Sequence, residues 1–284
     1  MAKALLALAG FVSSLLPNSL KSVIYRLGPI SFLIRTVLNN AAPHGLTEIE
    51  ISAGPLRGAR MQLDLQREKD YWLGTYELEL QKAFREHIKA GMVIYDLGAN
   101  IGYVSLLAAR LAGVDGRVFA FEALPENLNR LRRNVELNPQ LAPIGVFPNA
   151  VVGHSGKITF LVHSSGGMGK VEGSIGRDAD YETKISVEGI SLDDFVFIEG
   201  KQVPEIIKID IEGGEGLALD GMQGVLKKFR PTLFLELHGK EAAKSVWETL
   251  NANNYSIHSL RRGYPLVSSY EELDWKSYLM ANPL

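Results

Sequence analysis

The residues best suited to chemistry lie at a glycine turn between two apolar runs. The first run, 92–95, leads into residues 96–102, of sequence DLGANIG, and the second run, 118–121, ends in Glu122. A strand, a tight turn, a helix and a second strand ending in an acid make half of a nucleotide-binding α/β sheet. Glycine and asparagine allow the positive φ that such a turn needs, and glycine also lets backbone approach a ligand closely. The Glu122 carboxylate could accept hydrogen bonds from two vicinal ribose hydroxyls.

The spacing of the glycines indicates which ligand the turn would bind. A dinucleotide-binding turn has its third glycine five residues after the first, whereas Gly98 and Gly102 are four apart and Asp96 lies two residues before Gly98. The pattern D-x-G-x-N-x-G resembles motif I of the class I S-adenosylmethionine methyltransferases. That resemblance implies a cationic, phosphate-free ligand whose methionine end the acid helps to hold. A turn that binds nothing is the alternative, and Glu122 at the end of the next run argues against it.

A second group of polar residues follows two later apolar runs. Asp210 and Glu212 are two apart after one run, and Glu236 and His238 are two apart at the end of the next. Both pairs fall at the carboxyl ends of predicted strands, where open α/β sheets bind ligands. We therefore expect two carboxylates from one strand, and a carboxylate and an imidazole from its neighbour, to face one crevice.

Such a cluster supports two kinds of chemistry. His238 could act as a general base that deprotonates a hydroxyl, oriented by Glu236 or Asp210, because the usual pKa of histidine lies near working pH. Alternatively, Asp210, Glu236 and His238 could hold a divalent cation that lowers the pKa of the hydroxyl. Any one of these residues could also lie in solvent at the end of its strand without taking part in the chemistry, and Glu212 could simply help to start a helix. The sequence leaves these alternatives open.

Several ordered segments resemble the FkbM family of methyltransferases, over about residues 76–260. They are the turn with its strand (93–102), Glu122 with Pro125 and Asn134, the segment 191–194 (SLDD), the segment 207–213 (IKIDIEG) with Glu215, and the segment 236–238 (ELH). The KIDIEG stretch is the most specific of these. The Tyr76-Glu77 pair upstream also matches.

The resemblance implies S-adenosylmethionine-dependent O-methylation of a hydroxyl on a sugar, polyketide or similar small molecule. It implies a set of cofactor-binding residues, namely Glu77, Asp96, Gly98, Asn100, Gly102, Glu122, Asn149 and Asp210. It also places Asp210 near the methyl-transfer centre. The catalytic candidates are the four residues of the second group, Asp210, Glu212, Glu236 and His238. The choice of His238 as the base is our own inference from its position and is not implied by the resemblance.

Alternating strand and helix patterns predict a Rossmann-like class I methyltransferase fold, with a doubly wound, mostly parallel sheet. The predicted elements are a hairpin at 48–65, helices at 76–90, 105–111, 217–229 and 242–250 and one starting at Pro125, and strands at 146–152, 206–211, 232–237, 255–258 and 266–267. An inserted hairpin of strands 157–162 and 184–190 flanks a Gly/Ser-rich loop, 164–181. That loop could be a mobile lid over the substrate or a surface excursion.

Composition restricts the remaining possibilities. The chain has 284 residues, a net charge of −2 and no cysteine. The length suits one large α/β domain with an extension, and the charge gives no electrostatic case for nucleic acid. Disulfides, thiolate catalysis and Cys-ligated zinc are excluded. The competing functions are a non-catalytic binding or scaffold protein on the same fold and, less favoured by the glycine spacing, an NAD-dependent dehydrogenase.

The first part of the chain differs from the rest. Residues 4–16 are uncharged and mostly apolar, but too few to span a bilayer, which takes about 20 apolar residues. Residues 1–47 contain no acid, while Lys3, Lys21, Arg26 and Arg35 are basic. This fits an interfacial helix on an anionic membrane, which would bring a cytoplasmic enzyme to the inner face and to a lipid-linked acceptor. Packing on the domain or a partner subunit, and a cleaved signal, are the alternatives.

The domain organisation expected from these patterns has three parts. Residues 1–45 form the apolar and basic extension, 46–90 a β-hairpin and helix leading into the core, and 91–284 the S-adenosylmethionine-binding domain. The oligomeric state is left open.

Overall fold

The structure, a computed structural model, describes residues 2–16, 20, 28–164, 167–175, 181–274 and 276–284. Parts of the predicted loop 164–181, and Lys21 and Arg26, lie outside the described residues. The chain forms two compact units, Met1–Lys82 with Arg133–Pro139, and Ala83–Arg132 with Gln140–Leu284. The division expected from sequence, at residues 45 and 90, stays a prediction.

The first unit contains the N-terminal helices and a β-hairpin. Its elements are α1 (Ala2–Leu15), α2 (Gly28–Ala41), β1 (Leu46–Glu50), β2 (Arg60–Asp64), α3 (Lys69–Trp72) and the start of α4 (Leu78–His87). Strands β1 and β2 pair antiparallel with Leu46 opposite Asp64, which confirms the predicted hairpin. The alternation Met61, Leu63, Leu65 buries one face of β2 and the residue after it, as the period of a strand requires. The apolar start of the chain is helical.

The second unit is built on a seven-stranded sheet. Its strands are β3 (Val93–Leu97), β4 (Arg117–Phe121), β5 (Ile144–Phe147), β10 (Ile206–Ile209), β11 (Thr232–His238), β12 (Tyr255–Ser259) and β13 (Lys276–Pro283), in the order β12-β13-β11-β10-β3-β4-β5. The five from β11 to β5 run parallel, and β13 is antiparallel to both its neighbours. This arrangement confirms the expected Rossmann-like class I methyltransferase fold.

Helices separate the strands along the chain, as the alternating pattern predicted. They are α5 (Tyr103–Ala112), α6 (Pro125–Glu136), α7 (Glu215–Asp220), α8 (Gln223–Lys228) and α9 (Lys240–Ala252). Every residue of β10 is buried, because a central parallel strand is covered on both faces. Pro125 begins α6, where its missing N–H and fixed φ cost nothing.

Three predicted elements differ in the structure. The predicted strand 146–152 is two strands, β5 and β6 (Asn149–Val151), because Pro148 cannot donate to a ladder and the chain changes sheets there. The predicted helix 217–229 is broken between α7 and α8 at Gly221, where a Cβ would lie 2.1 Å from the Val152 carbonyl oxygen. Residue Leu266 makes only an isolated bridge to His258, and the strand that completes the sheet is β13.

The insertion between β5 and β10 is a small sheet of its own. It comprises β6, β7 (Gly156–His163), β8 (Gly169–Val171) and β9 (Tyr181–Ile190), in the order β6-β9-β7-β8. The antiparallel pairing of β7 with β9 confirms the inserted hairpin. Phe160 of β7 packs in a buried cluster with Ala123 and Leu124, so the inserted sheet is attached beside the carboxyl end of β4. It is therefore next to Glu122.

Candidate functional site

The glycine turn after β3 adopts the strained backbone that its sequence predicted. The φ angles are 76° at Gly98, 49° at Asn100 and 93° at Gly102. A Cβ on Gly98 would lie 1.9 Å from the carbonyl oxygen of Asp210, and one on Gly102 would lie 2.6 Å from Leu131 Cδ1. Glycine at positions 98 and 102 therefore lets the turn pack against the neighbouring strand end and against α6. This reason for the glycines holds whether or not the turn binds a ligand.

Glu122, at the end of β4, holds this turn in place. Its two oxygens accept hydrogen bonds from the amides of Asn100 and Leu124, both at 2.8 Å. The side chain is buried, and burial raises the pKa of Glu122 to about 7 although the two amide bonds act in the opposite direction. A carboxylate oxygen has two lone pairs, so each oxygen keeps one for a ligand hydroxyl.

Asp96, at the end of β3, is fully buried and bonded to protein groups. Ser105 Oγ donates to its Oδ2 at 2.5 Å, and the Lys208 ammonium lies 3.2 Å from Oδ1. Lys208 also donates to the carbonyl oxygen of Gly98 at 3.1 Å and lies 3.5 Å from Asp210 Oδ2. One buried ammonium thus joins Asp96, the glycine turn and Asp210.

The sequence interpretation missed this role of Lys208. The signal was present, because a lysine inside the fully buried strand β10 needs an acidic partner. Lys208 lies opposite Asp96 in the parallel register of β10 and β3, which only the strand order reveals.

His238 ends β11 inside a ring of carboxylates. Its Nδ1 lies 3.1 Å from Glu215 Oε1, and its Nε2 lies 3.0 Å from Glu236 Oε1. Asp210 Oδ1 and Glu212 Oε2 are 3.9 Å and 3.8 Å from Nε2. The structure therefore brings the four catalytic candidates together and adds Glu215, the first residue of α7, to them.

The electrostatics of this ring follow from the contacts. Burial lowers the pKa of His238, but the hydrogen bonds to Glu215 and Glu236 outweigh it and raise that pKa to about 10. Burial raises the pKa of Glu236, but the hydrogen bonds from His238 and Lys276 outweigh it and lower that pKa to about 2. At neutral pH the ring therefore contains an imidazolium that donates from both nitrogens.

Asp210 and Glu212 lie on the solvent side of the ring. Strand β10 ends at Ile209 rather than continuing to 211, and Glu212 has a positive φ of 53°, so the two acids do not share a strand face as expected. Their side chains are 19% and 22% exposed, against 1% for His238. Burial, which is the largest influence, and the nearby Glu236 raise the pKa of Asp210, while Lys208 and His238 lower it, and the net pKa is about 6.

The predicted metal-binding candidates, Asp210, Glu236 and His238, offer ligand atoms within 4.8 Å of one another. A carboxylate, carboxylate and imidazole set is chemically suited to a divalent cation. However, Glu236 Oε1 already bonds His238 Nε2 and the ammonium of Lys276, so an ion bound to that oxygen would compete with both. The metal stays a prediction.

Two predicted cofactor residues lie outside this cluster. Asn149 begins β6, directly after the end of β5 and opposite Glu188 of β9. Glu77 belongs to the first unit, before α4, with a positive φ of 45° and its carbonyl oxygen bonded to the Gln81 amide. Both assignments stay predictions.

Comparison with known proteins decides the family. Residues 96–257 match the model of the methyltransferase FkbM domain, which is more than half of the chain. The chain belongs to the FkbM methyltransferase family. It is therefore an S-adenosylmethionine-dependent methyltransferase, and neither an NAD-dependent dehydrogenase nor a scaffold protein is favoured.

Individual relatives of this methyltransferase are distant. The hexuronic acid methyltransferase AglP of Haloferax volcanii is 27% identical over 202 residues, which cover 70% of this chain and 78% of that protein. The solved FkbM methyltransferase of Methylobacillus flagellatus KT is 16% identical, with a TM-score of 0.44, covering 76% of this chain and 53% of that one. M. jannaschii TYW2, solved with AdoMet, is 14% identical, with a TM-score of 0.45, covering 84% and 85%.

Proposed function

We propose that this FkbM methyltransferase methylates a sugar hydroxyl and that Asp210 accepts the proton of that hydroxyl. The observation that carries the proposal is the carboxylate ring around His238. Both nitrogens of the buried ring face carboxylates, so a substrate hydroxyl cannot reach them, whereas Asp210 is partly exposed at the mouth of the ring. A carboxylate whose pKa has risen to about 6 is a stronger base than an ordinary aspartate.

The expected role of His238 as the base itself stays a prediction that competes with this one. In the proposal, the imidazolium is a cation that orients Glu236 and Asp210 and keeps them ionised. Lys208 holds Asp210 from the other side and ties it to the glycine turn. Asp210 is thereby fixed between two cations, which orients the carboxylate toward the acceptor.

The glycine turn and Glu122 fit the cofactor chemically. S-adenosylmethionine supplies an activated methyl group when bound, so the chain has to align an acceptor oxygen and remove its proton. Glu122 has a lone pair on each oxygen for the vicinal ribose hydroxyls, and Asn100, next to it, is held in the turn by that same carboxylate. Asp96, which is buried under the turn, would stabilise it rather than line the crevice.

The assignment of Glu122 gives a binding prediction. Glu122→Ala is expected to raise the Kd for S-adenosylhomocysteine by about tenfold to a hundredfold, the effect of losing hydrogen bonds to a charged group. Isothermal titration calorimetry measures this directly. Glu126→Ala, at an exposed acid in the first turn of α6, is the matched control and should leave the Kd unchanged. Equal Kd values for the wild type and Glu122→Ala would remove the ribose role.

The proposed acceptor is a hydroxyl on a sugar. AglP is named for a hexuronic acid, and the partly exposed acids Asp210 and Glu212 at the mouth of the ring suit hydrogen bonding to sugar hydroxyls. The test is incubation with S-adenosylmethionine labelled in the methyl group and a panel of hexosides and hexuronides. Label in the sugar fraction is expected, and its absence from every sugar in the panel would contradict the proposal.

We also propose that the N-terminal helices contact an anionic membrane peripherally, near a lipid-linked acceptor. In the described residues no helix is long and apolar enough to cross a membrane. Instead, several large apolar side chains of α1 and α2 are between 41% and 72% exposed, namely Leu8, Phe11, Val12, Leu15, Phe32, Leu33 and Val37. The four of α1 share one helix face, so the described surface is apolar, and in sequence residues 1–47 carry basic residues and no acid.

Liposome flotation of the full chain tests this contact. The chain is expected to float with phosphatidylcholine vesicles that contain phosphatidylglycerol. Phe11→Glu combined with Phe32→Glu should reduce flotation by at least about tenfold, because two exposed aromatic side chains become charged. Ile198→Glu, at a side chain 77% exposed in the second unit, is the control. Wild-type chain that stays at the bottom of the gradient would exclude the contact.

A further inference from the structure

Lys276 adds a positive charge to the carboxylate ring through its contact with Glu236. It is the first residue of β13, and its register partner in the antiparallel pair is His238. Its ammonium bonds Glu236 Oε1, yet its side chain is 40% exposed. Lys276 lies outside the residues that match the FkbM family model, 96–257, so the family match assigns it no role.

The three cations of the site differ in what they can reach. The side chains of Lys208 and His238 are 6% and 1% exposed and are enclosed by acids. Lys276 has three N–H donors, and its side chain is 40% exposed although it bonds Glu236 of the ring that also contains the partly exposed Asp210 and Glu212. An anionic acceptor would be repelled by those two carboxylates unless a cation met it at the same place.

We infer that Lys276 binds a carboxylate on the acceptor sugar and thereby selects acidic sugars over neutral ones, an inference that rests on the sugar acceptor of the proposed function. Glu236 is already held by His238 Nε2 at 3.0 Å, so Lys276 is its second cationic partner. The Lys276 side chain is bonded to that buried acid and is still 40% exposed, so it can also meet a ligand. A neutral hexose offers no charge for this group to pair with.

The test compares methyl transfer to methyl β-glucuronide and to methyl β-glucoside. The wild type is expected to favour the glucuronide, and Lys276→Met should raise KM for the glucuronide by about tenfold to a hundredfold, as the loss of a charged hydrogen bond does. Transfer to the glucoside should change much less. A substitution that acted only by disturbing Glu236 would instead slow transfer to both sugars. Lys276→Arg should retain the preference.

The controls separate this inference from the function on which it rests. Lys244→Met, at an exposed lysine of α9, should keep the wild-type preference, and calorimetry with S-adenosylhomocysteine shows that each variant is folded. Equal losses on the two sugars, or a wild type without preference, would overturn the role of Lys276 and leave the sugar acceptor standing. Transfer to neither sugar by the wild type would overturn both.

Discussion

Asp210→Asn is expected to lower kcat by about 10²- to 10⁴-fold, the range for loss of a general base, while the Kd for S-adenosylhomocysteine changes little. The amide has nearly the shape of the carboxylate but cannot accept the proton of the acceptor hydroxyl. The two cations that hold Asp210, Lys208 and His238, remain in place. The measurement is steady-state methyl transfer together with calorimetry on the same protein.

The pH dependence gives this prediction a second readout. Because the pKa of Asp210 lies at about 6, wild-type kcat should fall as the pH drops through 6, where the carboxylate becomes protonated. Asp210→Asn should lack that limb, and Asp220→Asn, at an exposed acid ending α7, should behave as wild type. A variant at Asp210 that turns over normally would assign the proton to another group.

Assays with EDTA and with Mg²⁺ test the alternative in which a bound divalent cation activates the hydroxyl. In that alternative, activity is lost with EDTA and restored by Mg²⁺.

His238→Ala is expected to destabilise the fold strongly at pH 6, by on the order of 3–5 kcal/mol, because it leaves the buried carboxylate of Glu215 without its cation and leaves Glu236 with Lys276 alone. The pKa of His238 is raised in the folded protein to about 10, above the usual value of 6.5. Its contribution to stability is therefore fully present below about pH 6.5 and is lost as the pH rises through 10.

Urea unfolding at pH 6 and pH 9, with EDTA in the buffer, measures this effect. The difference in the free energy of unfolding between wild type and His238→Ala should be larger at pH 6 than at pH 9. The exposed His154→Ala should stay within about 0.5 kcal/mol of wild type at both. A pH-independent difference would show that the ring is neutral, and it would restore His238 as a candidate base.

The turn at Gly98 and the acid at Glu122 could be predicted from the sequence because both depend on local patterns. The apolar runs, the two glycines and the terminal acid all lie within the 31 residues 92–122. Each of these patterns predicts one part of a strand–turn–helix–strand unit. The positive φ of Asn100 followed from the same reasoning and was found. The alternation of elements also predicted a doubly wound, mostly parallel sheet, but it did not predict the order of the strands.

The carboxylate ring was only partly predictable, because its contacts join distant segments. Glu215 reaches His238 from the start of a helix, and Lys276 reaches Glu236 from a strand that the sequence interpretation missed. Strand β13 lies at the end of the described chain, where no turn residues follow it to mark it as a strand. The apolar pair at 266–267, which precedes it, was predicted as the strand instead. Lys208 belongs to the KIDIEG motif, but its partner Asp96 becomes visible only in the register of β10 with β3.

The position of His238 in the sequence does not by itself determine its role. Its place at the end of β11 correctly put it in the crevice, and its ordinary pKa suggested a base. Four surrounding carboxylates, none of them adjacent to it in sequence, instead favour a permanent cation. In the proposed function the proton acceptor is Asp210, the neighbour that combines a raised pKa with access to solvent.

The most direct test of the account is where the methyl group ends up on an acidic sugar. A hexuronic acid offers two kinds of oxygen, a hydroxyl that must lose a proton and a carboxylate that needs no base. Labelled product from methyl β-glucuronide is treated with mild alkali, which cleaves methyl esters and leaves methyl ethers intact. Label that stays on the sugar is the result expected if Asp210 deprotonates a hydroxyl while Lys276 holds the carboxylate. Label released as methanol would show that the carboxylate is the acceptor and would contradict the account.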